Sequence, residues 1–275
     1  MLCQKRRDPD YGGGEIMQDL TITIIQTELF WEDIPANLDR MEQRIDGIAE
    51  ATDLIILPEM WTTGFTLNAE KLAETMNGAS VSWMAAKARQ KSAHLLGSII
   101  IKEEGKYFNR LIWAKPDGEI LTYDKKHLFR MADEHKVYAA GNRHLSVEVK
   151  GWKLQTFICY DLRFPVWCRN QQNQYDVAIF IANWPARRAS HWKLLLQARA
   201  VENQAYVLGV NRVGKDGNDL DYSGDSTLVE PQGNILFAAA QMPCVFTAKL
   251  DYNRISEFRE SFTAWMDADA TGGQG

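Results

Sequence analysis

The four consecutive apolar residues Leu54-Ile55-Ile56-Leu57 have no polar face to turn toward water, so as a strand they must be covered on both sides. Ahead of them Leu20 to Gln26 is a β-rich run. Between the two, Ile34 to Ala51 carries Leu38, Met41, Ile45 and Ile48 at steps of three and four, which marks one helical face. Strand, helix and buried strand in that order predict a parallel pair joined by a crossover helix. The buried run closes at Pro58-Glu59.

The theme repeats downstream. Ser80 is placed to cap a helix through Ala93 with Val81, Met84, Ala85 and Ala88 inward, and Leu95 to Ile101 follows as a strand. Leu154 to Ile158 reads as a strand, and Asp176 to Ile181 and Tyr206 to Val210 flank a helix from Ser190 to Gln204. Leu111–Leu121 and Thr227–Leu236 each put Pro-x-Gly between apolar strands, which predicts two hairpins. Their likeness predicts two similar half-folds, each with a sheet of mixed strand directions. Phe246 to Leu250 is a last strand, and Ile255, Phe258, Phe262 and Trp265 outline a last helix. No linker interrupts residues 19–266, so the expectation is one domain with helices outside two packed sheets. Residues 1–18, with Asp8-Pro9-Asp10 and three glycines, read as a disordered lead ahead of a natural start at Met17. Residues 267–275 read as a C-terminal tail.

Composition narrows the function. A net charge of −5 with scattered basic residues gives no footing for a nucleic-acid partner. The cysteines Cys3, Cys159, Cys168 and Cys244 match neither a disulfide framework nor a zinc site, which predicts a reducing, cytoplasmic setting. The five histidines have no metal-ligand spacing and no phosphate loop follows a strand, so neither metal nor cofactor is expected. No apolar run approaches the roughly 20 residues of a membrane helix.

Three polar groups stand at ends of strand-like runs, where such scaffolds place function. Glu59 follows Leu54–Leu57, Lys125 follows Ile120–Tyr123, and Cys159 follows Leu154–Ile158. Together they make a chemical kit of nucleophile, proton-transfer group and fixed cation. A carboxylate can take the thiol proton as sulfur attacks, while a lysine and the backbone N–H of Tyr160 can hold the charge that grows on a carbonyl oxygen. Each also has a structural reading: Cys159 as a small core residue, Glu59 as a turn cap, and Lys125 with Lys126 as a solvated loop. His127 reads as a structural side chain held by hydrogen bonds.

The segments Leu57-Pro58-Glu59, Tyr123-Asp124-Lys125-Lys126-His127-Leu128-Phe129 and Ile158-Cys159-Tyr160-Asp161-Leu162-Arg163-Phe164-Pro165 closely resemble the three signature segments of the nitrilase, or carbon–nitrogen hydrolase, superfamily. The resemblance spans roughly residues 19–265. It puts the family's Glu-Lys-Cys triad on Glu59, Lys125 and Cys159, and a second, lysine-orienting glutamate on Glu134. It implies an α/β fold, the α-β-β-α sandwich of two mixed sheets flanked by helices, with subunits paired as a homodimer or higher homo-oligomer. Asn183-Trp184-Pro185, His191-Trp192 and Gln197–Gln204 are also similar to family segments.

Within the superfamily the chain looks most like the omega-amidase branch, which implies hydrolysis of the terminal amide of 2-oxoglutaramate or 2-oxosuccinamate through a cysteine thioester. A small amide substrate that carries a carboxylate needs a cation, for which Arg163 and Arg188 are candidates, with Arg187 behind them. Arg163 could instead be tied to Asp161 or Glu202. Phe65, Tyr160 and Trp184 could shape the pocket or belong to the core. The rival expectations are an N-carbamoyl amino acid amidohydrolase, a nitrilase, and a non-catalytic binding or regulatory subunit, though loss of a triad residue would have favoured the last.

Overall fold

The computed structural model describes residues 18–269, so all but one residue of the expected N-terminal lead and most of the expected tail lie outside the described residues. The strands form two sheets. The first contains β1 (Leu20–Gln26), β2 (Leu54–Ile56), β3 (His94–Glu103), β4 (Lys106–Ala114) and β5 (Ile120–Asp124) in that spatial order. The second runs from β6 (Ser146–Val149) and β7 (Trp152–Ile158) through β8 (Val177–Ala182) and β9 (Tyr206–Asn211) to β11 (Asp221–Val229), which also pairs with β10 (Val213–Lys215) and β12 (Ile235–Ala240). The last strand, β13 (Cys244–Leu250), returns to the first sheet and pairs antiparallel with β1.

The two halves follow one plan. β1, β2 and β3 are parallel neighbours, as are β7, β8 and β9, and antiparallel strands extend each set. Both Pro-x-Gly segments turn as expected: Gly118 (φ 99°) donates to Lys115 O and Gly233 (φ 91°) to Glu230 O. These backbones lie in the left-handed region that glycine tolerates.

Side-chain alternation divides the strands between two kinds of core. Ile22, Ile24, Leu54 and Ile56 of the first sheet meet Leu154, Ile158, Ile179, Ile181 and Leu208 of the second in one buried layer between the sheets. The opposite face of the first sheet, with Ile25, Ile55 and Leu57, packs under the helices Ile34–Asp46 and Ala79–Lys91. The opposite face of the second, with Phe157, Phe180 and Val207, packs under Ala189–Asn203. The result is the expected α-β-β-α sandwich, and the central strands are apolar on both faces because both are covered.

Three local expectations are corrected. The helix after Met76 starts at Ala79 with Gly78 at its N-cap; Ser80 is buried inside the first turn, where its N–H donates to the Glu74 carboxylate at 2.9 Å. Glu74 supplies the cap from outside the helix. The first helix stops at Asp46 rather than Ala51. The last stops at Ser261, leaving Phe262 exposed and Trp265 in a separate 3₁₀ turn.

Candidate active site

Glu59, Lys125 and Cys159 each stand just beyond the C-terminal end of a strand, β2, β5 and β7 respectively. Proline at 58 has no N–H to continue a ladder, so the chain leaves the sheet there. At the end of β7 the chain turns sharply into a 3₁₀ helix, Cys159–Arg163, and Cys159 itself sits at φ 45°. A side chain in that region costs about 1–3 kcal/mol and persists only when its surroundings hold it. Asp161 does the holding. Its buried carboxylate accepts the Ile158 N–H at 3.0 Å, the Tyr123 hydroxyl at 2.7 Å and the His127 N–H at 2.9 Å. His127 Nδ1 lies 2.8 Å from the same carboxylate and the ring stacks on Phe164, so His127 belongs to the support of the elbow.

Lys125 is a buried ion, not a solvated loop residue, at 1% exposure. Its Nζ donates to Glu59 Oε1 at 2.8 Å and to both Glu134 oxygens at 3.0 Å, and both carboxylates are fully buried. Burial alone would drive the proton off the ammonium, but the charges of Glu134 and Glu59 outweigh it and hold Lys125 well above the usual lysine value. Burial pushes Glu134 upward against the pull of Lys125. Glu59 is held on every side. Oε1 also accepts from Asn109 Nδ2 at 2.7 Å, Oε2 accepts from the Asn183 N–H at 2.7 Å, and its carbonyl accepts from Asn183 Nδ2 at 2.5 Å. It does not cap its own turn.

Burial first and the Glu59 charge second push the Cys159 thiol well above its ordinary value; Lys125 pulls it the other way and does not prevail. The resting group at neutral pH is therefore a thiol. It opens on a cavity of about 90 Å³ lined by Phe65, Lys125, Phe129, Tyr160, Asn183 and Trp184, with Arg163, Arg187 and Arg188 around it.

The arginine assignments separate here. Arg163 makes no salt bridge to Asp161 or Glu202: its Nη2 lies 2.8 Å from His191 Nδ1 and its guanidinium sits 5.4 Å from the Trp184 ring. Glu202 pairs instead with Arg199. Arg188 lies over the Phe129 ring at 5.1 Å, and no carboxylate among the described residues pairs with it. Burial and then Arg187 lower its pKa. Phe65 lies 5.3 Å from Lys125 Nζ, and Trp184 donates its Nε1–H to Arg188 O.

A family model described as carbon-nitrogen hydrolase matches residues 21–260. The chain belongs to the carbon–nitrogen hydrolase family. It is 48% identical to the omega-amidase YafV of Escherichia coli over 254 residues, covering 92% of this chain and 98% of that protein. A 2-oxoglutaramate amidase of Bacillus subtilis is 33% identical over 251 residues, 90% of this chain and 96% of its own. The crystal structure of a CN-hydrolase superfamily protein from Xanthomonas campestris, described with an arsenic adduct in its active site, matches with a TM-score of 0.92 at 42% identity, covering 94% of this chain and 100% of that one. This carbon–nitrogen hydrolase is an enzyme acting on carbon–nitrogen bonds other than peptide bonds.

Sequence reasoning passed over four parts of the hydrolase's site. Asn109 donates to Glu59 and, at 3.5 Å, to Glu134; its signal was a polar residue amid the apolar run of β4. Asn183 grips Glu59, and Asp161 anchors the elbow. Leu220, just before β11, and Tyr222, near the start of β11, line one side of the cavity and leave no local signature. Among the described residues no cluster of His, Cys, Asp and Glu could hold a metal ion, and no helix is long and apolar enough to cross a membrane.

Proposed function

We propose that this hydrolase removes the terminal amide of a small 2-oxo dicarboxylic acid monoamide, 2-oxoglutaramate or 2-oxosuccinamate, with Cys159 as nucleophile, Glu59 as proton carrier and Lys125 as the fixed cation. The observation that carries the reading is the buried Glu59–Lys125–Glu134 cluster opening, with the Cys159 thiol, onto a small cavity bordered by three guanidinium groups. Similarity to an omega-amidase and to a 2-oxoglutaramate amidase supports the substrate class.

The hydrogen bonds choose the working oxygen. Glu59 Oε1 already accepts from Lys125 and Asn109, whereas Oε2 accepts only from the Asn183 N–H and keeps a lone pair for the thiol proton. Because the thiol is protonated at rest, proton transfer to Glu59 accompanies attack of sulfur on the amide carbonyl. One Lys125 N–H to Glu59 and one shared by the Glu134 oxygens leave a third for the developing oxyanion, alongside the Tyr160 N–H. A donor so placed is worth ~3–4 kcal/mol of barrier. Glu59 then protonates nitrogen, the C–N bond breaks, ammonia departs and a thioester remains. Water, deprotonated by the same carboxylate, releases the acid and restores the thiol. Glu134 fixes Lys125, Phe65 and Trp184 shape the cavity, and Arg188 with Arg163 receives the substrate carboxylate.

The working unit is proposed to be a homodimer, supported by Leu194 and Val201, which stand 66% and 55% exposed on the helix Ala189–Asn203. The reaction is tested by measuring ammonia release from 2-oxoglutaramate, 2-oxosuccinamate, glutamine, N-carbamoyl amino acids and simple nitriles. Preference for the 2-oxo monoamides is expected. Carbon dioxide released with ammonia from a carbamoyl substrate, or turnover of nitriles alone, would replace the reading.

A further inference from the structure

Among the described residues that line the cavity, Asn183 is the one whose side chain holds a buried polar atom without a partner; Asn109 Oδ1 is also unpaired but belongs to a residue outside the lining. Asn183 is 5% exposed and lines the cavity with Cys159 and Lys125, yet Oδ1 is buried and meets no donor in the protein. Its orientation is not ambiguous. The other end of the amide lies against Glu59 O, an acceptor, so that end must be nitrogen and the free end oxygen. A buried acceptor left bare costs about 1–3 kcal/mol. The same residue is held at two other points, its backbone N–H on Glu59 Oε2 and its Nδ2 on Glu59 O. The unpaired oxygen is thus set rigidly beside the carboxylate that handles the proton.

We propose that Asn183 Oδ1 accepts one N–H of the substrate's reacting amide and keeps it through departure as ammonia, making Asn183 the residue that selects a primary amide over an ester. The inference rests on the amidase reading above. It gives the hydrolase a chemical device that the Glu-Lys-Cys kit lacks. When sulfur adds to the carbonyl, the amide nitrogen turns pyramidal and its lone pair must face the proton on Glu59. An acceptor on one N–H fixes that pyramid and prevents the nitrogen from inverting or rotating away. No bond is made or broken at Asn183. The proton goes from Cys159 through Glu59 to nitrogen, and the C–N electron pair leaves with ammonia. As nitrogen gains positive charge the contact becomes charge-assisted, so it strengthens toward the transition state. An ester offers the same Oδ1 no hydrogen, and a site built to bond an N–H penalises an analogue lacking it.

The test compares two substrates with one acyl group, 2-oxoglutaramate and the corresponding ω-methyl ester, in the wild type, Asn183→Ala and Asn183→Asp. The readout is the amide-to-ester ratio of kcat/KM, which does not depend on how much of a preparation is folded. Both substrates should slow in both variants, because the Asn183 Nδ2 contact to Glu59 is lost in each. In Asn183→Ala the ratio should fall a further ~10–100-fold, the worth of a hydrogen bond to a charged group. Asn183→Asp keeps an oxygen at the same reach and should hold the ratio near the wild-type value. An unchanged ratio in Asn183→Ala overturns the assignment and leaves Asn183 as a prop for Glu59. So does an equal loss of ratio in both variants. A wild type that hydrolyses neither substrate would instead end the amidase reading itself.

Discussion

Asn183 and Glu59 lie 124 residues apart and meet through two hydrogen bonds, backbone N–H to Oε2 at 2.7 Å and Nδ2 to the Glu59 carbonyl at 2.5 Å. One residue follows β2 of the first sheet and the other follows β8 of the second, so this contact ties the two strand ends together at the cavity. A carboxylate gripped in this way cannot rotate to trade its oxygens, and the proton has one place to go.

Glu59→Gln should therefore do more than remove a charge. Either orientation of the new amide sets an NH₂ against a donor, whether Lys125 and Asn109 on one side or Asn183 N–H on the other. Turnover should fall by roughly 10²–10⁴-fold, the usual worth of a positioned acid–base group. Alkylation of Cys159, followed by mass spectrometry, should still occur. Near-wild-type ammonia release would mean another group moves the proton.

For Cys159 the expectation concerns pH. Its thiol is held well above the ordinary value by burial and by Glu59, so the thiolate fraction stays small through neutrality and grows only in alkali. The rate of inactivation by iodoacetamide should keep climbing above the ordinary thiol value of 9.0 instead of levelling near it. A plateau below neutral pH would show a resting thiolate pair. Cys159→Ala should abolish ammonia release while its urea unfolding curve stays near that of the wild type.

How much of this was legible beforehand follows from what kind of signal each feature leaves. Leu54–Leu57 reads as a doubly buried strand because burial on both faces demands apolar residues at every position, and Glu59 is visible as the first charge beyond it. Lys125 by itself looked solvated, since lysine is buried only where carboxylates surround it, and those arrive from positions 59 and 134. Contacts such as Asn109 to Glu59 or Tyr222 to the cavity are products of sheet pairing over long sequence separation. No local periodicity encodes them. The Ser80 cap failed for a related reason: Glu74, outside the helix, does that work.

The arginines offer a prediction in which binding and chemistry separate. Arg188 has no carboxylate partner among the described residues and lines the cavity with Cys159, whereas Arg163 is engaged by His191 and Trp184. Arg188→Ala should raise KM for carboxylate-bearing amides by roughly 10–100-fold, the cost of losing a charge-assisted pair, with less effect on neutral amides. Arg163→Ala should act in the same direction and more weakly. Equal losses on charged and neutral substrates would remove both from the carboxylate site.

Lys125→Met tests whether the buried cluster is held by its cation. The methionine fills similar space but leaves Glu59 and Glu134 fully buried with no positive charge between them. Breaking such a cluster from one side costs about 3–5 kcal/mol, and urea unfolding near neutral pH should show a loss of that order. The sign with pH follows from linkage. Without the lysine, nothing opposes the burial and the Glu59 charge that raise Glu134 in the folded state above its unfolded value, so the folded form binds more protons and gains stability as pH falls. The deficit should shrink in acid, and it should shrink at neutral pH when Glu134→Gln is added, because one buried charge is then gone. In the wild type the sign is the same and the window moves into alkali. Lys125 is held above 10.5, so its contribution is complete below that value and is lost only as pH rises through the folded one. A Lys125→Met protein as stable as the wild type at neutral pH, or one whose deficit does not shrink on acidification, would mean that Lys125 is not what neutralises the two carboxylates.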